Sequence, residues 1–191
     1  MATDLTRKLD YEDYVRLPDD GKRYEILDGE LYVTPSPNPY HQRLSKRLQR
    51  RLEDYFEAPG VAEVFNAPTD LILGAHDIAV PDLLVVGTPE QISRRGIEGA
   101  PLLVVEVLSP STRGRDRGVK MLRYAVLDLP HYWIADPDRQ RIQCFRLEAG
   151  TYQLVVEAVA PETLTHPDFP GLSIDLGDLV RSGGAFLRSP R

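Results

Sequence analysis

The chain has 191 residues, 42% hydrophobic and 27% charged, enough for one α/β domain with a real core and a solvated surface. Its formal net charge is −6 and its pI is near 5.3, which excludes binding of nucleic acid by bulk charge and leaves only local basic patches. Cys144 is the only cysteine, which excludes an intrachain disulfide and a cysteine-based zinc site.

Met1 to Lys8 holds no signal-peptide apolar region, and no run approaches the ~20 apolar residues of a membrane span. A soluble cytoplasmic protein with no membrane partner is the expectation. Asp10 to Leu17 reads as a short helix capped by Asp10, with Asp13 at the third helical position and Pro18 beyond it. Arg23 to Leu27 pairs with Glu30 to Thr34, because Asp28-Gly29 is a favoured two-residue hairpin turn. Asn38-Pro39 is a cap followed by proline at the first helical position. Leu44, Leu48 and Leu52 then recur every four residues, extended by Tyr55 and Phe56, and the spacing predicts a helix to about Glu57. Its other faces carry Arg43, Lys46, Arg47, Arg50 and Arg51.

Short strands are expected at Glu63 to Asn66 and Asp70 to Leu73, then a turn from Gly74 to Asp77 and a strand from Val80 to Val86. A loop rich in Gly, Pro and Arg runs from Gly87 to Pro101, ahead of a buried strand from Leu102 to Leu108. Thr112 to Leu127 reads as a helix with Val119, Leu122 and Val126 as its buried stripe and Arg113, Arg115, Arg117, Lys120 and Arg123 on its polar surface. Tyr132 to Ala135, Arg141 to Leu147 and Tyr152 to Val159 are strands. His166 to Gly171 is expected as a loop, Asp175 to Val180 as a short helix, and the chain after Ser182 as a frayed end. No repeat or linker divides residues 1–191, so a single domain with its core at about 10–180 is expected.

Two strands carry an anomaly. Glu106 lies in the apolar run Leu102 to Leu108, and Asp82 in the run Val80 to Val86. An ionised carboxylate in an apolar interior is costly unless it is paired or binds a cation. If the strands are neighbours, alternation lets Asp82 and Glu106 converge, and two close carboxylates repel unless a proton or a metal lies between them. All-oxygen ligation suits Mg²⁺ or Mn²⁺, with the backbone carbonyl of Val107 as a third ligand. Lys120, one of only four lysines among 23 basic residues, follows Glu106 by fourteen positions and can point back to the end of that strand. It can orient an attacking water or offset charge on a phosphoryl group, and Tyr124 lies one helical turn further on the same face.

Arg23 to Leu31, His41, Val80-Pro81-Asp82, Glu106 to Thr112, Lys120 with Tyr124, and Tyr132 to Pro137 together resemble a bacterial family known as "putative restriction endonuclease", in the PD-(D/E)xK nuclease superfamily. The resemblance covers about residues 10 to 180. It implies an α/β (α+β) restriction-endonuclease-like fold, with a mixed central sheet flanked by helices and an N-terminal hairpin. It implies a Mg²⁺- or Mn²⁺-dependent endonuclease acting on DNA, and a homodimer. Asp82 resembles the motif aspartate, Glu106 the second acid, and Glu25 an additional N-terminal acid. The lysine usual two residues after the second acid is Leu108 here, and Lys120 resembles a migrated lysine. His41 and Tyr124 are accessory candidates. Arg43, Arg47, Arg113 and Arg117 are candidate phosphate contacts, which position a duplex without reading its sequence.

Bland readings compete with each assignment. Glu106 could be paired with an arginine, Lys120 solvated on a helix surface, Glu25 an outward hairpin acid, and the arginine clusters ordinary solvated faces. At the level of function, the competing readings are a catalytically inactive or regulatory nucleic-acid-binding protein that keeps the fold, and an enzyme acting on another phosphate-containing substrate.

Overall fold

The computed structural model describes residues 7–181. The end expected to fray after Ser182 lies outside them, as does most of Met1 to Lys8. Two sheets, a separate hairpin and five short or medium helices build the described chain.

The first sheet begins with β1 (Arg23–Leu27) and β2 (Glu30–Thr34), paired antiparallel in the expected register. The turn works because Asp28 and Gly29 both take positive φ, 52° and 81°, as a type I′ turn requires. A Cβ on Gly29 would also lie 2.4 Å from Cβ of Lys8, so glycine is needed there for space as well. With β4 (Leu71–Gly74), β5 (Asp77–Ala79) and the two-residue β7 (Ile97–Glu98), the order of this sheet is β2-β1-β5-β4-β7.

The central sheet contains β3 (Glu63–Asn66), β6 (Leu83–Val86), β8 (Leu103–Val107), β9 (His131–Asp136), β10 (Arg141–Glu148) and β11 (Thr151–Val159), in the order β11-β10-β9-β8-β6-β3. The β8–β9 pair is parallel and its other pairs are antiparallel, so the sheet is mixed as expected. Helix α1 (Tyr11–Tyr14) has the expected capping box, with Asp10 and Asp13 each accepting the other's backbone N–H. Helix α2 (Pro39–Leu52) starts where Asn38 accepts the N–H groups of Tyr40 and His41, and runs on as a π-helical turn, Glu53–Glu57. Helices α3 (Arg113–Arg115) and α4 (Met121–Val126) are joined by a second π-helical turn, Asp116–Lys120. Helix α5 (Leu176–Val180) is capped by Asp175.

Each face of the central sheet has its own core. Leu83, Val85, Leu103, Val105 and Val107 face Leu44, Leu48, Leu52 and Phe56 of the α2 segment. Leu84, Val86, Val104 and Leu108 face Tyr124, Ala125 and the first sheet's Leu27, Leu71 and Ala79. Fully burying a side chain such as Leu48 is worth about 1.5–3 kcal/mol, which is why the four-residue leucine period outweighs the charge on the rest of α2.

Three expectations change. Val80 to Val86 is not one strand: β5 ends at Ala79, β6 starts at Leu83, and Val80-Pro81-Asp82 carries the chain between the sheets. Pro81 has no N–H for a ladder, which favours a break there. Gly87 to Pro101 is not all loop, since it contains a 3₁₀ turn (Pro89–Gln91) and β7. His166 to Gly171 is not a loop but the tip of a hairpin, β12 (Thr163–His166) and β13 (Phe169–Asp175), in which Leu164, Phe169, Leu172 and Ile174 are buried. Among the described residues, no helix is long and apolar enough to cross a membrane.

Candidate active site

Glu106 lies on β8, every residue of which is buried. Alternation turns it to the same face as Val104 and Leu108, toward the α3–α4 segment. There its Oε1 accepts from Lys120 Nζ at 2.7 Å and from the Tyr124 hydroxyl at 3.3 Å. Lys120 Nζ is also 2.8 Å from Glu25 Oε1 and 3.9 Å from Asp116 Oδ1. Lys120 is 2% exposed, so its charge persists only because carboxylates surround it. Burial opposes that charge, but Glu106, Glu25 and Asp116 outweigh it and hold the ammonium's pKa above its ordinary value.

The helix that delivers Lys120 faces the opposite way from the apolar pattern. Leu122 and Val126 are 69% and 67% exposed, whereas Asp116, Lys120 and Tyr124 are buried. The Asp116–Lys120 π turn precedes α4, and Tyr132 donates its hydroxyl to the Asp116 backbone carbonyl. The inward stripe at i, i+4 spacing is therefore polar and ionic.

Glu25 reaches this cluster because β1 alternates. Tyr24 and Ile26 turn the other way, Ile26 into a small core with Ile72 and Ile78 that packs under α1. The Glu25 carboxylate accepts from Val80 N–H at 2.9 Å and from the Thr34 hydroxyl at 3.3 Å, and lies 3.2 Å from Arg115. Burial would raise its pKa, but Lys120 and then Arg115 outweigh that and hold it below the usual range.

Asp82 sits at the crossover between the sheets, beside the end of β8. Its Oδ2 accepts from Val107 N–H at 2.8 Å and pairs with His41 Nε2 at 3.1 Å, while Oδ1 is 3.5 Å from Arg23. An ionised Asp82 only accepts, so Nε2 of His41 carries the proton in this pair, and its Nδ1 is buried with no hydrogen-bond partner. Burial would raise the pKa of Asp82, but His41, Val107 and Arg23 hold it below the usual range. Leu108 N–H donates to Ala135 across the parallel pair, so the N–H and C=O of Val107 leave the opposite edge, on the side of Asp82. Glu106 differs from the other two acids. Burial pushes it well above the usual carboxylate range, Lys120 pulls the other way, and Asp116, Asp82 and Glu25 add to the rise.

Glu25, His41, Asp82, Glu106, Val107 and Lys120 thus line one cleft of about 190 Å³. Arg23, Arg115 and Asp116 line it too, and the sequence reading had not placed them there. The readable signals were the Arg23-Glu25-Leu27 alternation and the polar spacing of Asp116, Lys120 and Tyr124. The donor set fits a hard divalent cation. Four buried carboxylates meet three permanent cations, and Asp116 Oδ1 has no hydrogen-bond partner.

The four arginines expected to contact phosphate do not gather at this cleft. Arg43 lies over the Tyr40 ring at 5.7 Å. Arg47 donates to the carbonyls of Asp178, Leu179 and Arg181 at 3.1, 2.8 and 2.7 Å, which ties α2 to the end of α5. Arg113 donates to both oxygens of the fully buried Asp136, at 2.7 and 3.2 Å, and Arg117 to Gln143 at 2.7 Å.

Comparison with known proteins agrees with this architecture. Uncharacterized protein slr1290 of Synechocystis sp. (strain ATCC 27184 / PCC 6803 / Kazusa) is 31% identical over 120 residues, which is 62% of this chain and 63% of that relative. A crystal structure described as "a putative nuclease belonging to DUF820 from Anabaena variabilis ATCC 29413" matches with a TM-score of 0.73, over 90% of this chain and 97% of that one. At 19% identity that likeness is one of fold. Residues 11–177 match the family described as "Putative restriction endonuclease" (Uma2), a span that contains both sheets and every residue of the cleft. The chain belongs to that family.

Proposed function

We propose that the protein is a divalent-metal-dependent endonuclease that hydrolyses phosphodiester bonds in DNA and works as a homodimer. The observation that carries the proposal is the convergence of Asp82, Glu106 and Lys120 on one cleft in a chain of this family. Asp82, Glu106 and the Val107 carbonyl would hold Mg²⁺ or Mn²⁺. Bound there, the ion polarises a phosphoryl oxygen and lowers the pKa of a bound water.

The remaining groups position and neutralise. Val107 N–H and His41 orient Asp82. Glu25 holds Lys120 at 2.8 Å, so the ammonium would keep a buried partner if Glu106 held an ion. Arg115, 3.2 Å from Glu25, fixes that carboxylate from the other side. Lys120 then stands at the carboxylate that binds the ion, where an ammonium orients the attacking water or stabilises charge on the phosphoryl group. Tyr124, fully buried behind the cleft, donates to Glu106 and fixes that carboxylate.

The test is cleavage of plasmid, branched and single-stranded DNA with Mg²⁺ or Mn²⁺, beside Asp82→Ala. Cleavage that survives this substitution sinks the proposal. A second reading, a catalytically silent nucleic-acid-binding protein, draws on two observations: Lys120 already neutralises Glu106, and Leu108 fills the usual lysine position. Calorimetric titration separates the two. Mg²⁺ or Mn²⁺ binding that Glu106→Ala abolishes favours the enzyme.

A further inference from the structure

A second group of ligating side chains lies outside the cleft. His131 opens β9, His166 closes β12, and Asp168 sits in the tip that leads into β13. Both histidines are more than nine-tenths buried, at 8% and 4% exposure. Nδ1 of His131 and Oδ2 of Asp168 are buried without hydrogen-bond partners, and so is Nε2 of His166. Nδ1 of each histidine is 4.0 Å from the unpartnered Asp168 Oδ2, and one donor atom from each of the three residues lies within 4.8 Å of the other two. The carboxylate is held in place through its other oxygen, which accepts from Arg146 at 2.8 Å.

We propose that His131, His166 and Asp168 form a transition-metal site of the zinc class, distinct from the Asp82–Glu106 cleft. Two imidazoles and one carboxylate suit Zn²⁺ or Co²⁺ rather than Mg²⁺, which prefers oxygen. Three protein ligands leave one position of a tetrahedron open, and Asp168, the part-exposed member, marks the side open to solvent. Metal–ligand bonds of about 2.0–2.2 Å require the donors to close in by up to roughly an ångström. One contact must be exchanged, the 3.1 Å hydrogen bond from the Asp168 N–H to His166 Nδ1. That amide sits in a turn, where water can replace its partner. Neutral imidazole is the ligand form, so binding weakens as the pH falls. The rings are further fixed by Trp133, stacked 5.5 Å from His166, and by Phe169, at 4.7 and 4.8 Å from the two. An ion there links the β12–β13 hairpin to the central sheet.

A pair of histidines packed in an aromatic cluster is the competing reading. It leaves Nδ1 of His131 and Oδ2 of Asp168, the two atoms that would ligate the ion, buried side by side without partners, which buried polar groups rarely tolerate.

The experiment uses the full chain, stripped with chelator, in an Asp82→Asn/Glu106→Gln background that disables the cleft. Titration with Zn²⁺ by calorimetry should show one equivalent bound, and Co²⁺ should give the intense visible absorption of a four-coordinate site. Asp168→Asn and His131→Gln should each weaken Zn²⁺ binding at least tenfold and abolish the cobalt spectrum. Asp168→Asn keeps the side-chain volume at a part-exposed position, so it serves as the test if His131→Gln fails to fold by circular dichroism. The proposal is overturned if the background protein binds no Zn²⁺, or if Asp168→Asn leaves the affinity unchanged.

Discussion

Lys120→Met should destabilise the metal-free protein by about 3–5 kcal/mol, because it removes one partner from a buried ionic cluster and leaves the others in place. At an effective dielectric of 20, the attraction at the 2.8 Å Lys120–Glu25 contact is about 6 kcal/mol, and Glu106 at 2.7 Å adds a similar amount only in its ionised form, which burial disfavours. Those gains offset the desolvation of groups that are almost fully buried, so the net cost of truncation is smaller than their sum. What remains after the substitution is Glu25, Glu106 and Asp116 facing one another without the ammonium. Adding Glu106→Gln to Lys120→Met removes the carboxylate that crowding and burial already disfavour in its charged form. The double variant should therefore be more stable than the sum of the two single effects implies, by about 2 kcal/mol within the usual 0.5–3 kcal/mol range for contacting residues. Urea unfolding followed by circular dichroism at pH 7 with chelator present measures all four corners of the cycle. Additivity within about 0.5 kcal/mol, or a cost below about 1 kcal/mol for Lys120→Met, would refute the ionic cluster as described.

His166 gives a pH dependence with a definite sign. Burial lowers its pKa from 6.5 to about 4, so the unfolded chain takes up a proton that the native chain refuses in that interval. Its contribution is full above pH 6.5 and is lost as pH falls toward 4, by roughly 3 kcal/mol. His166→Phe should flatten the stability–pH curve there, measured with chelator present, and equal acid slopes in the two proteins would count against the assignment. Leu48→Ala, at a fully buried position of α2, should cost about 2–5 kcal/mol in unfolding free energy, and a loss under about 1 kcal/mol would mean that α2 does not cover the sheet as described.

What could be read from the sequence followed the range of the forces involved. The β1–β2 hairpin and the start of α2 were legible because a two-residue turn, an Asn cap and a leucine period are local signals. The break at Val80-Pro81-Asp82 was not, because two collinear apolar segments look like one strand until a second sheet claims the first of them. The β12–β13 hairpin was hidden because Pro167 and Pro170 mask its alternation. The acids Asp82 and Glu106 were visible as charges among apolar neighbours, Glu25 only through the family resemblance, and the structure brings all three to one cleft with Lys120. Arg113 and Arg117 looked free only because their partners, Asp136 and Gln143, arrive from other strands.

The α3–α4 segment shows why apolar periodicity failed at the place that matters most. A helix buries the face with the larger free-energy gain, and that is usually the apolar one. Here Leu122 and Val126 stay in water, while Asp116, Lys120 and Tyr124 turn inward. The inversion is consistent only if the ionic face has partners waiting, and Glu25 and Glu106 provide them from two different sheets. The same inversion bears on Leu108. That residue shares the face of Glu106 but lies in the core, 1% exposed, where an ammonium would find no comparable cage. A lysine fourteen positions later reaches the same carboxylate at 2.7 Å from the helix side and gains a second carboxylate at 2.8 Å. The ammonium is thus placed by tertiary structure rather than by strand spacing, and disturbing Glu25 should misplace Lys120 even though the hydrogen bonds and ion pairs of Glu25 go to Thr34, Val80, Arg115 and Lys120 rather than to Asp82 or Val107.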